Sequence, residues 1–220
     1  WERAALLRAR PVAGDIAFGE ELLDALRPFV FRRAVDPKIG DEMAGLVRKA
    51  RRDLRVSDDD VKLGPGGIRE AEFFVQTLQL VWGGLHPELQ VPGTIDALRR
   101  LQAKGFVTGL EAENLEADWA LLRRVEHRIH MSTGYQTHEL PSEPAARAKL
   151  ARSLGFDSDR DFDETMRAAR ARIHALFASV ETTPKEQGAT EGEALSAAPR
   201  PFAELTDALA NGLEGEAREE

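Results

Sequence analysis

Cysteine is absent from this 220-residue chain, tyrosine occurs once, and aromatic residues make up only 6% of it. Without cysteine there is no disulfide scaffold, thiolate zinc centre, iron–sulfur cluster or cysteine nucleophile. No apolar run approaches the ~20 residues needed to span a bilayer, and the first residues lack a signal-peptide pattern. Alternating runs rich in Val, Ile and Thr are missing, which removes the main signal for strands. No Gly-x-Ser-x-Gly elbow, Walker A loop or Rossmann fingerprint occurs. Positive charge is in deficit: 30 basic against 38 acidic residues give −8, with a pI near 5.3, which argues against general nucleic-acid binding.

What is present, 31% charged and 42% apolar residues, is the composition of a soluble cytoplasmic protein with a substantial core. The chain starts at Trp1 rather than at a methionine and reads as a portion of a longer polypeptide. Its charge is unevenly spread. Residues 184–220 carry nine acids against three bases, whereas residues 1–55 carry twelve bases against nine acids. The expected organisation is a helical body over 1–183 followed by an acidic linker over 184–220, rich in Gly, Ala, Glu, Ser, Thr and Pro. Phe202, Leu205, Leu209 and Leu213 leave room for a short amphipathic helix at 202–213.

Helical periodicity runs through the body, which is predicted to be all-α, a bundle of seven or eight mostly antiparallel helices. A first helix is expected from Trp1 to about Arg10, stopped by Pro11. Asp15 is the expected N-cap of a second, whose apolar stripe is Phe18, Leu22, Leu23, Leu26, Phe29 and Val30, with a kink or break at Pro28. Asp36-Pro37 should open a third, apolar at Ile39, Met43, Leu46, Val47 and Leu54, and basic toward Arg55. Further helices are predicted at about 67–83, 93–104, 109–131, 143–154 and 160–182, the last capped by Asp161 with Glu164. Trp82 and Trp119 are expected in the core.

Residues 60–76, DVKLGPGGIREAEFFVQ, hold the densest information. They read as a short extended piece, a glycine-rich turn and a helix start. Gly64, Gly66 and Gly67 permit backbone conformations closed to other residues. Free N–H groups at the helix start would favour an anion, which Lys62 and Arg69 could flank. The alternative is a tight structural turn, with Arg69, Glu70 and Glu72 in ion pairs.

This wording resembles the helical region of the glutamine synthetase adenylyltransferases, bifunctional adenylyltransferase/adenylyl-removing enzymes. Matching segments follow in family order over about residues 1–155. They include Trp1-Glu2-Arg3, Ala9-Arg10-Pro11-Val12-Ala13-Gly14-Asp15 and Arg27-Pro28-Phe29-Val30-Phe31-Arg32-Arg33. Leu121-Leu122-Arg123-Arg124-Val125-Glu126-His127-Arg128 and Gln136-Thr137-His138 before Leu140-Pro141 also match. Ala71 and Gly134 depart from the family's usual residues. The resemblance implies a helical domain that follows the adenylyl-removing nucleotidyltransferase domain. The parent would need ATP and Mg²⁺, move AMP onto and off a tyrosine of glutamine synthetase, and answer to PII proteins. Expected partners are glutamine synthetase, PII and adjoining nucleotidyltransferase domains, with no nucleic acid and no membrane. The PII uridylyltransferases, which share the architecture, are an alternative; so is a non-enzymatic helical interaction module.

The family's catalytic domains pair a Gly-Ser motif with aspartates that hold Mg²⁺, and no such motif occurs here, so the chain by itself is expected to be inactive. Asp58-Asp59-Asp60 reads as a solvated loop. Lys62, Gly64, Gly66, Gly67, Arg69 and Glu70 are the candidate binding or interface patch. Arg3, Arg8 and Arg10 are candidates for a domain interface or a phosphate-proximal surface. The basic run Arg48 to Arg55 reads as a solvated face, or as one turned to nucleic acid, an acidic partner or the phosphate-bearing active site of a neighbouring domain. Glu126, His127 and His130 lie near one another on a helix but miss the zinc-protease spacing, while His86, His138 and His174 are scattered, so no metal set is expected.

Overall fold

The computed structural model describes residues 2–33 and 38–181. Among them are eight α-helices and one 3₁₀ turn, and the only strand-like pairing is an isolated bridge between Asp60 and Glu139. The helices are α1 (Glu2–Leu6), α2 (Ile16–Val30), α3 (Ile39–Leu54), α4 (Ile68–Trp82), α5 (Thr94–Ala103), α6 (Gly109–Thr133), α7 (Pro144–Ser153) and α8 (Asp159–Ser179). The expected all-α fold is therefore present. Trp1, the Asp36-Pro37 helix start, the 184–220 linker and the 202–213 helix lie outside the described residues.

Helix α4 is the axis of the molecule. Twelve of its fifteen residues are buried, too many for a one-sided amphipathic helix, and α1, α3, α5, α6 and α8 all pack on it. Its own Val75 and, around it, Leu98, Leu101, Leu122, Ile129, Phe162 and Ile173 are each 1% exposed or less. Burying each such large side chain stabilises the fold by about 1.5–3 kcal/mol. Trp82 stacks on Phe106 with ring centroids 4.5 Å apart, and Trp119 is half-buried rather than fully in the core.

The helix ends follow local chemistry. Asp15 caps α2 by accepting from the Phe18 N–H at 3.0 Å, as its side chain predicts. Thr108 and Glu111 form a reciprocal capping box at the start of α6. Gly105 and Gly134 follow α5 and α6 with φ of 79° and 70°. Two details differ from the sequence reading. The cap of α8 is Ser158, whose hydroxyl accepts from the Asp161 N–H at 3.1 Å, so Asp161 is already inside the helix. Helix α1 ends at Leu6, well short of Arg10.

Helix α2 runs past Pro28 to Val30, because the carbonyl that proline leaves without a donor is that of Asp24, on an exposed turn. Its apolar stripe is only partly covered: Val30 is buried, while Phe18 is 64% and Leu22 50% exposed. No described helix is long and apolar enough to cross a membrane.

Candidate functional site

The glycine-rich segment folds as successive turns threaded between α3, α4 and α8. Asp60 starts it: its Oδ1 accepts from the N–H groups of Lys62 and Leu63 at 2.8 and 2.7 Å. An aspartate bonded to the backbone just ahead of it fixes a turn in this way. The short extended piece expected at the start of residues 60–76 is thus replaced by turns, apart from the bridge at Asp60. Gly66 has φ of +65°, and a Cβ there would overlap the backbone of Arg170 on α8. Only glycine combines that dihedral with so close an approach.

The loop is held by side chains from three helices. Arg51 of α3 donates Nε to the Leu63 carbonyl at 2.6 Å, and Nη2 to the Gly64 carbonyl at 2.8 Å. The same Nη2 reaches Glu70 Oε1 at 2.5 Å. Arg170 donates to the carbonyls of Pro65 at 2.9 Å and Asp58 at 2.6 Å. Glu70 Oε2 accepts the Gly66 N–H at 2.8 Å, and His174 Nδ1 lies 3.0 Å from it. Burial pushes the Glu70 carboxyl up, but the His174 hydrogen bond and the Arg51 guanidinium outweigh it and hold it below the ordinary range.

The helix-start donors are used internally. The Ile68 and Arg69 N–H groups donate to the carbonyls of Val61 and Lys62 at 3.0 and 2.9 Å. The carboxylate that meets the Gly66 N–H is the chain's own Glu70. The six patch residues consequently do not form one surface. Gly64, Gly66, Gly67 and Glu70 are buried, Lys62 is half-buried, and Arg69 is exposed with its guanidinium 5.1 Å over the Phe73 ring.

Arg69 instead lines a cleft of about 400 Å³ between α1, α3 and α4, together with Arg8, Leu46, Glu72, Phe73 and Gln76. Arg8 reaches Glu72 at 3.5 Å and bonds the Thr94 hydroxyl. Two residues singled out separately in the sequence, Arg8 and Arg69, therefore share one cleft. Arg3 is a tie, donating to the carbonyls of Val30 at 2.9 Å and Leu80 at 3.4 Å. Arg10 is exposed.

A second polar cluster lies behind the loop. Glu126 of α6 is 2% exposed; its Oε2 accepts from Arg123 at 2.6 Å, and its Oε1 faces Lys62 at 3.5 Å and His138 Nδ1 at 3.1 Å. His130 Nε2 lies 3.3 Å from the same His138 nitrogen. The sequence separates His138 from the α6 histidine, but the structure joins them. His127 points out to solvent instead. Burial, helped by Lys62 and opposed by Glu126, holds the His138 imidazole below its ordinary pKa and so favours its neutral form.

Arg51, Arg170 and His174 escaped the sequence reading as contributors to the loop. Arg51 sits in a basic run that reads as solvated, yet its side chain turns inward at 22% exposure. The spacing of Arg170 and His174, one turn apart beside the buried Ile173 and Phe177 on α8, was the available signal.

A family model described as GlnD PII-uridylyltransferase matches residues 41–180. Curated relatives are named bifunctional glutamine synthetase adenylyltransferase/adenylyl-removing enzymes. One from Thioalkalivibrio sulfidiphilus is 42% identical over 202 residues, 90% of this chain and 20% of the relative. One from Mesorhizobium japonicum is 39% identical over 191 residues, 84% of this chain and 19% of the relative. One from Rhodopseudomonas palustris is 38% identical over 185 residues, 82% and 19% respectively. The chain spans about one fifth of the length of these relatives.

Proposed function

Because the chain belongs to the GlnD PII-uridylyltransferase domain family, and resembles the bifunctional glutamine synthetase enzymes along most of its length, we propose that it is their helical regulatory and substrate-binding portion. In this reading the intact cytoplasmic polypeptide transfers AMP from ATP, with Mg²⁺, to a tyrosine of glutamine synthetase, and removes it by phosphorolysis. The helical chain carries no catalytic centre for either reaction. Its work is to seat the adjoining nucleotidyltransferase domains, glutamine synthetase or PII.

The observation that carries this proposal is the 42% identity over 90% of the chain. The cleft that joins Arg8 to Arg69 supports a contact role, because Arg69 is exposed and, among the described residues, its guanidinium engages only an aromatic face. A guanidinium so placed is free to bond a carboxylate or phosphate with both arms. The buried loop, by contrast, supports the fold that presents the cleft.

The test is Arg69→Ala in the intact enzyme, with de-adenylylation of glutamine synthetase and melting temperature both measured. The expected result is a loss of activity of at least about tenfold with the melting temperature within about 2 °C, as for removal of one charge-assisted contact. Unchanged activity would remove the cleft from the proposal. AMP transfer by the 220-residue chain alone would overturn its non-catalytic role.

A second reading, the helical domain of a PII uridylyltransferase, is favoured by the description of the matching family model. Binding of the chain to PII but not to glutamine synthetase would select it.

A further inference from the structure

We propose that Glu126, His130 and His138 form a three-ligand site for a zinc-class divalent cation, with Arg123 holding the carboxylate in place. The three side chains offer one ligand atom each, and these atoms lie within 4.8 Å of one another. A tetrahedral centre with metal–nitrogen and metal–oxygen bonds of about 2.0–2.2 Å has ligand-to-ligand edges of about 3.3–3.6 Å. Two edges are already near that length: His138 Nδ1 to His130 Nε2 is 3.3 Å, and His138 Nδ1 to Glu126 Oε1 is 3.1 Å.

The backbone fixes these positions independently of any ion. Glu126 and His130 are four residues apart on α6 and share a face. Gly134, with φ of 70°, turns the chain back after α6. His138 is then pinned from both sides, because its carbonyl accepts from the Val61 N–H at 2.9 Å and the Leu140 N–H donates to the Asp59 carbonyl at 3.1 Å. A cation bound here would meet a site whose ordering cost has already been met by folding.

The donor set selects the class of ion. Two imidazoles and one carboxylate suit zinc and its neighbours, whereas calcium and magnesium require mostly oxygen. Three protein ligands leave a fourth position open to water or another group. Arg123 on Oε2 is the outer partner that orients a ligating carboxylate while leaving Oε1 to the ion.

Lys62 is the competitor. Its ammonium lies 3.5 Å from Oε1 on a flexible side chain that is 36% exposed, and it must swing aside when a divalent cation enters. With Arg123 also present, the two positive charges lower affinity, so the site is expected to be of moderate strength. Replacing Lys62 by an uncharged side chain should therefore tighten binding. A purely structural hydrogen-bond cluster makes no such demand.

The experiment titrates the 220-residue chain with Zn²⁺ against a chromophoric chelator, using wild type, His130→Gln, His138→Gln and Lys62→Met. The proposal expects one Zn²⁺ per chain, affinity weakened at least about tenfold by either glutamine variant, and affinity raised by Lys62→Met. Zn²⁺ should also raise the melting temperature of the wild type and not of His130→Gln. His130 is half-buried at the end of α6, so its variant keeps the test readable should His138→Gln fail to fold. Equal affinity in wild type and His130→Gln overturns the site, as does weaker binding by a folded Lys62→Met chain.

Discussion

Arg51 of α3 and Glu70 of α4 meet at 2.5 Å over the glycine-rich loop, with Glu70 only 1% exposed. The pair does more than neutralise charge. Arg51 also bonds two loop carbonyls, and Glu70 bonds the Gly66 N–H as well as His174, so both ions are tied into the same turn. A buried ion pair is stabilising when its leftover donors and acceptors are satisfied in this way.

Removing one partner should expose that dependence. Glu70→Gln leaves the Arg51 guanidinium without its counter-charge and is expected to cost about 3–5 kcal/mol. Chemical denaturation would measure it. In a double-mutant cycle with Arg51→Met, the two losses should fall well short of adding. Simple additivity would mean that the two side chains act separately.

The same carboxylate sets an acid limb to stability. Its folded pKa lies below the ordinary value of 4.5, so below about pH 4.5 the unfolded chain takes up a proton that the folded chain refuses. Its contribution is complete above that pH and is lost as pH falls through the folded value. Stability measured from about pH 6 down to about pH 3 should fall less steeply in Glu70→Gln than in wild type.

Two glycines with similar dihedrals should respond differently to alanine. Gly66, with φ of +65°, abuts the Arg170 backbone, while Gly14, with φ of +77°, has open space where a Cβ would sit, with nothing within 4 Å. Gly14→Ala carries only the left-handed strain, about 1–2 kcal/mol. Gly66→Ala adds a backbone collision and should cost at least about twice as much, read as the denaturation midpoint. Equal losses would show that dihedral strain alone governs both sites.

At the start of α8, Ser158→Ala should cost about 1 kcal/mol, because it removes the bond to the Asp161 N–H. Asp161→Ala loses only a favourable charge near the helix start, about 0.3–1 kcal/mol. Thermal melts of both variants check the order. A larger loss for Asp161 would restore it as the cap.

Much of the fold was legible because helix signals are local. The periodic residues Leu110, Leu115, Trp119, Leu122, Val125 and Ile129 located α6, although Leu110 is exposed, and Asp15 marked the start of α2, using only neighbours within one or two turns. Among the loop glycines, Gly66 likewise announced itself, since its positive φ shows as a residue type. What failed were statements about who faces whom. Phe18, Leu22 and Leu54 read as core positions but are exposed, and Arg51 reads as surface but is half-buried against the loop.

The candidate sites divide in the same way. By itself the sequence determined the helical class, the family resemblance and the loop's special backbone, because each is written in residue types at short spacing. Only the tertiary structure decided that Glu70 is the anion at the glycine turn, that Arg8 and Arg69 share a cleft, and that His138 reaches His130. Those pairings depend on how α4 packs among its neighbours and on a bridge between residues 60 and 139. Such contacts are fixed by the joint burial of distant segments, a quantity no short window of sequence contains.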